Sequence, residues 1–315
     1  MVSSDFQEPL RFAPIFKERI WGGRRLESLY GKSLPEGRIG ESWEIVDRPE
    51  AQSVIASGSL AGKSLHDLWR DHRAAVFGQV TPAERFPLLV KLLDAEEKLS
   101  LQVHPPPQAA ADLHGEAKTE FWYIAHATAE AELYVGLAKH SSKRHIEEAL
   151  AQGTVEGHVH RIRVQTGDAM FLPSGRMHAI GAGNVIVEVQ QNSDTTYRVF
   201  DWNRRDKSGK ARDLHIEESM RSIDFGDFEP ELIRPDGELL VRHALFSVEK
   251  WTLQDEREIS EPGTFAIVVC LTGEVACAGV SITPGNFLLV PAAMRQRELE
   301  PRAADSSLLR ITIPR

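Results

Sequence analysis

The chain has 315 residues, of which 42% are hydrophobic and 26% charged, and its formal net charge is −9. That composition excludes a disordered, collagen-like or coiled-coil chain, and the acidic balance excludes a general electrostatic footprint for nucleic acid. Two cysteines, Cys270 and Cys277, are too few for a disulfide framework or a thiolate zinc site, and no apolar run approaches the roughly 18 residues that span a bilayer.

The first residues lack the basic start and apolar core of a leader, so a cytoplasmic protein is expected. Residues 53–56 form a short β-branched run that reads as a strand. Residues 60–77 carry Leu65, Leu68, Trp69 and Val76 at helical spacing and predict a helix. Residues 141–152 begin with Ser-Ser and end before Gly153, a capped helix, and 213–222 is a weaker helical stretch. Residues 185–189, 265–269 and 308–313 are short strands. Residues 224–238, with Pro230, Pro235 and Gly237, separate two β-rich parts. The expected domains are 1–235 and 236–315. Closely spaced strands with turn residues between them predict a mainly β protein, a sandwich or barrel in each part.

An internal repeat links the two parts. Gly167, Pro173, Gly175 and His178 recur 118 residues later as Gly285, Pro291, Ala293 and Gln296, with similar apolar filling between Gly and Pro. The pattern reads as two related barrels, one keeping a ligand position at His178 and the other having lost it at Gln296. The second part is then a buttress, with Cys270 and Cys277 as small buried hydrophobes.

Four segments carry residues able to do chemistry. Residues 99–104 alternate strictly, so Ser100, Gln102 and His104 share one strand face. The bland reading turns that face to solvent; the functional one turns it inward. Residues 118–123 likewise place Lys118, Glu120 and Trp122 on one face, which would ordinarily be a solvated surface. His178 alone would be structural. Together, His104, Glu120 and His178 make a nitrogen–nitrogen–oxygen set suited to zinc or another divalent metal with open positions, and Gln102 could add a carbonyl oxygen. Residues 188–202 begin as a strand, turn through Asn192, Ser193 and Asp194, and resume as a strand. This is either an exposed loop or the rim of a polar cavity, with Glu188 and Arg198 pointing inward.

These motifs together resemble a known family. The stretches IWGGRRL (20–26), GESWEIVDRPE (40–50), FPLLVKLLDAEEKLSLQVHP (86–105), KTEFWYI (118–124), GDAMFLPSGRMHAIGAG (167–183) and EVQQNSDTTYRVFDWNR (188–204) are similar to those of the type I phosphomannose isomerases in their short bacterial form. The resemblance implies two cupin-type (jelly-roll) β-barrels with a few peripheral helices. It implies a zinc enzyme, one ion per chain, that interconverts mannose 6-phosphate and fructose 6-phosphate through a cis-enediol or enediolate. The family's ligands fall on Gln102, His104, Glu120 and His178. Its catalytic arginine falls on Arg198, its active-site lysine and glutamate on Lys118 and Glu188, and the residues implicated near the phosphate on Lys91 and Ser100. Pro106 and Pro107 depart from the usual continuation of the HP pair, and Phe121 from the usual small residue or Met.

The base is open among Glu188, Lys118 and metal-bound hydroxide, with Glu188 favoured because burial raises a carboxylate's pKa. Other readings are a non-catalytic sugar-binding cupin, an iron-dependent oxygenase, or an isomerase for a different phosphosugar. The partner is a small phosphosugar, with no nucleic acid and no membrane, and the chain is a monomer or homodimer. The net charge opposes an anionic substrate only at long range, because screening acts within about 8 Å and leaves the local cations to decide.

Overall fold

The structure is a computed structural model describing residues 6–205 and 209–314; residues 1–5, part of the stretch read for a leader, lie outside the described residues. All ladders between its strands are antiparallel, as expected for short β-branched runs joined by tight turns. The first two sheets use residues up to 200. One has six strands in the order Ile15–Gly23, Ile39–Ile45, Leu88–Ala95, Asn184–Gln191, Glu120–Ala127, Ala169–Leu172. The other has five, in the order Tyr197–Phe200, Leu101–Val103, His178–Ile180, Glu132–Leu137, Val159–Arg163. A second pair, of five and four strands, uses residues from 239 onward. The protein is mainly β, with paired sheets consistent with the jelly-roll expectation.

Side-chain alternation explains how these layers stack. On Leu88–Ala95 and Asn184–Gln191 the residues Leu88, Val90, Leu92, Val185, Val187 and Val189 join one apolar cluster. So do Val248, Ile267, Val269, Leu309 and Ile311 of the second part. The two larger sheets therefore lie back to back over a shared core. Trp69, Phe77, Phe86 and Phe265 tie it together, with Phe77 and Phe265 meeting edge-on at 5.4 Å. Burial on the far side of the five-stranded sheet (Leu101, Val103, Ala179, Val199) is completed by Ile146 and Ala149 of the helix Lys143–Gln152. That helix starts at Ser142, which caps it, and stops at Gly153, whose left-handed φ of 69° suits glycine.

Local differences from the sequence expectations have physical causes. The stripe over 60–77 is broken at His72 into Leu65–Asp71 and Arg73–Phe77, the first opened by a capping box between Ser64 and Asp67. Residues 53–56 form no strand; Val54 and Ile55 make single bridges to Ser64 and Phe12, because no long neighbour runs beside them. The helix expected over 213–222 spans Ile216–Ser222. The repeat holds in three dimensions. Ala169–Leu172 and Phe287–Val290 are edge strands of the two larger sheets, each following a left-handed glycine, Gly167 at φ 100° and Gly285 at φ 78°.

Candidate active site

The first two sheets face each other with polar side chains. Register sets the arrangement. Across the six-stranded sheet, Trp43, Lys91, Glu188 and Trp122 lie on adjacent rungs, and Gln190 pairs with Glu120. Across the five-stranded sheet, Arg198, Gln102 and His178 occupy adjacent rungs. Lys91, Lys118, Glu120, His104, His178 and Glu188 are all buried. The two solvent-facing readings, of residues 99–104 and of 118–122, are thus overturned: both polar faces turn inward.

His104, Glu120 and His178 bring their ligand atoms within 4.8 Å of one another. Each histidine is oriented by its other nitrogen: Nδ1 of His104 donates to the Thr195 carbonyl at 2.8 Å, and Nδ1 of His178 to the Arg176 carbonyl at 2.9 Å. The turn after Pro173 braces the same point, since Gly175 N donates to the His104 carbonyl and Lys118 N donates to Ser174 Oγ at 3.0 Å. Burial, together with Lys118, lowers the His104 pKa to about 3, so the ring is neutral and its Nε2 carries a lone pair. That lone pair lies 3.3 Å from Glu120 Oε1, and His178 Nε2 lies 3.5 Å from Oε2. His104 Nε2 and both Glu120 oxygens are buried and accept no hydrogen bond. Buried acceptors crowded together fit a cation, and this donor set fits a divalent metal. The Gln102 amide stands 3.2 Å from His178 Nε2; turned over, it presents its carbonyl oxygen to the same point.

Beside this group runs a chain of alternating charge. Arg19 Nε meets Glu41 Oε1 at 2.6 Å, Glu41 Oε2 lies 3.5 Å from Lys91, and Lys91 lies 2.6 Å from Glu188 Oε2. Trp43 and Trp122 donate their indole N–H to Glu41 and Glu188, both at 2.6 Å. Burial alone would raise the Glu41 carboxyl; Lys91, Arg19 and Trp43 instead bring it down to about 2. Burial, with the Glu120 charge, holds Glu188 above the ordinary carboxylate range despite Lys91 and Lys118. Lys118 Nζ lies 3.2 Å from Glu120 Oε1.

A cavity of about 300 Å³ adjoins these groups, lined by Lys91, Ser100, Gln102, Lys118, Glu188 and Arg198. All the residues expected from the sequence therefore meet at one site. Sequence reasoning missed Arg19, Glu41 and Arg212, which also line the cavity. Glu41 sits in a quoted stretch, GESWEIVDRPE, but nothing local marks Arg19 or Arg212 as facing inward. The loop 192–196 is held rather than free: Asn192 Nδ2 donates to the Asp47 carbonyl at 2.6 Å, and Gln190 Nε2 to the Ser193 carbonyl at 2.7 Å. Gln296 is exposed, so the second part has no counterpart of His178.

Paired β-sheets enclosing a buried His–Glu–His group, a donor set that fits a metal ion, define a cupin-like protein. A model of the phosphomannose isomerase type I catalytic domain matches residues 10–142. The chain is 38% identical to mannose-6-phosphate isomerase ManA of Bacillus subtilis over 93% of this chain and 96% of that one. It is 35% identical to the mannose-6-phosphate isomerase of Streptococcus mutans over 93% and 95%. A crystal structure of the Bacillus subtilis mannose 6-phosphate isomerase superposes with a TM-score of 0.86 and 33% identity, covering 98% of this chain and 100% of that one. The chain belongs to the type I phosphomannose isomerase family. No helix among the described residues is long and apolar enough to cross a membrane.

Proposed function

We propose that the protein is a zinc-dependent isomerase interconverting D-mannose 6-phosphate and D-fructose 6-phosphate through a cis-enediol or enediolate. The observation that carries this reading is the buried point where the ligand atoms of His104, Glu120 and His178 converge within 4.8 Å of one another. The relatives' names supply the reaction. Gln102, His104, Glu120 and His178 hold one zinc ion per chain, which when bound supplies Lewis acidity toward the sugar oxygens.

The remaining groups act on protons and charge. Glu188, buried and held by Trp122 and Lys91, moves the proton between the two carbons. Its raised pKa places it nearer the working pH than a free carboxylate. Lys118, beside Glu120, moves or stabilises the proton on the oxygens. Arg198 lines the cavity and keeps a positive charge there for the anionic substrate. Lys91 and Ser100 line the same cavity. Residues 1–235 form the catalytic unit and 236–315 the buttress, in a cytoplasmic monomer or homodimer.

A coupled assay for fructose 6-phosphate on chelated and zinc-restored protein tests the reading. Activity is expected to vanish with chelation and return with zinc. A folded, zinc-loaded sample with no activity overturns it.

A further inference from the structure

Five cationic side chains line the cavity beside the His–Glu–His group: Arg19, Lys91, Lys118, Arg198 and Arg212. The first three each have a carboxylate within ion-pair distance inside the site, in Glu41, Glu188 and Glu120 respectively. The last two are balanced differently. Arg212 donates Nε to Asp201 Oδ2 at 2.7 Å and Nη2 to Oδ1 at 2.6 Å. Asp201 is shared with Arg204, which bonds it through Nε and Nη2. Arg198 has no carboxylate within ion-pair distance among the described residues; its Nη1 donates to the Asp213 carbonyl at 2.6 Å and its buried Nε has no partner. Two guanidinium groups, Arg204 and Arg212, therefore share the single carboxylate of Asp201, and Arg198 stands at the same cavity edge without an ion-pair partner among the described residues.

A phosphate monoester carries about −1.5 to −2 charge at neutral pH and is attracted to guanidinium groups that share a carboxylate or lack one. Arg204 is fully engaged, because its Nη1 donates to the Lys98 carbonyl at 2.7 Å. Arg212 bonds Asp201 through one edge of its fork, Nε and Nη2. Position agrees with charge. Arg198 lies two rungs from His178 across the five-stranded sheet, with Gln102 between them, a span of roughly 10 Å. An extended six-carbon sugar with its carbonyl end near the His–Glu–His group would carry its phosphate to that edge. Lys91, the cation expected there, is instead buried between Glu188 and Glu41.

We propose that Arg212, clamped by Asp201 and standing beside Arg198, anchors the phosphate group of the substrate. Asp201 is then a positioning residue that orients the fork of Arg212. The proposal rests on the isomerase reading above and adds the recognition of the substrate's charged end. A charge-assisted, fork-type contact to phosphate of this kind changes binding by about 10- to 100-fold.

The test compares wild type, Arg212→Gln, Arg212→Lys and Asp201→Asn, all zinc-loaded. For Arg212→Gln the KM for mannose 6-phosphate is expected to rise about 10- to 100-fold while kcat changes by less than about 5-fold, and the Ki of inorganic phosphate to rise in parallel. Arg212→Lys keeps the charge but not the fork and falls between; it also serves if Arg212→Gln does not fold. Asp201→Asn gives a smaller rise in both constants. KM and Ki unchanged, or a fall in kcat with both unchanged, overturn the anchor. Should the wild type fail to isomerise mannose 6-phosphate, the isomerase reading fails. Calorimetry with inorganic phosphate then still decides the anchor, through tighter binding to wild type than to the Arg212 variants.

Discussion

The two β parts of this chain share an edge-strand repeat and differ in what fills the space between their sheets. In the second part, Ala266, Val268 and Cys270 of one strand meet Val275, Cys277, Leu288 and Leu299 in an apolar interior. In the first part, the strand Glu120–Ala127 offers Glu120 and Trp122 to an interior shared with His104, His178, Lys91 and Glu188. Both larger sheets send their other faces into one common core. A sheet therefore tolerates a charged inner face when its outer face is fully buried elsewhere and each inner charge finds a partner. The second part supplies that outer burial.

The largest break in the comparison comes from giving the first part the second part's residue type at the repeat histidine. His178→Gln is expected to lose bound metal and to lower kcat/KM by about 10³-fold, since the metal contributes several kcal/mol of charge stabilisation. Metal analysis and steady-state kinetics check both, and retained zinc with retained activity would remove His178 from the ligand set. Glu188→Gln sharpens the comparison by sparing the metal group. It is expected to lower kcat by about 10²-fold with the zinc content unchanged. Near-normal turnover would take Glu188 out of the base role. The smallest effect is expected from the reverse change, Gln296→His. It restores the sequence pattern of the repeat at an exposed position with no second group of converging donors among the described residues, so metal stoichiometry and turnover are expected to be unaltered. A second equivalent of tightly bound zinc would show that the second part retains a site.

Much of the site was legible because strand alternation is a local property. Ser100, Gln102 and His104 share a face in any strand, as do Lys118, Glu120 and Trp122. The residue types suggested metal chemistry, but the direction of those faces was not local. It depended on a second sheet closing over them. Arg19, Glu41 and Arg212 were illegible for the same reason: each reaches the cavity from a different part of the chain, and none carries a local pattern. The single helix expected over 60–77 failed at His72, where two short helices fold onto the aromatic cluster of the shared core.

By itself the sequence determined the mainly β character, the Gly-to-Pro repeat, and the donor set, because turn glycines, β-branched runs and ligand-type side chains act over a few residues. Tertiary structure alone decided the register that sets Lys91 beside Glu188 and Arg198 beside Gln102, the back-to-back stacking of the larger sheets, and the sharing of Asp201 by two arginines. Antiparallel pairing joins residues far apart in the chain, and shifting a register by one residue sends every side chain to the opposite face.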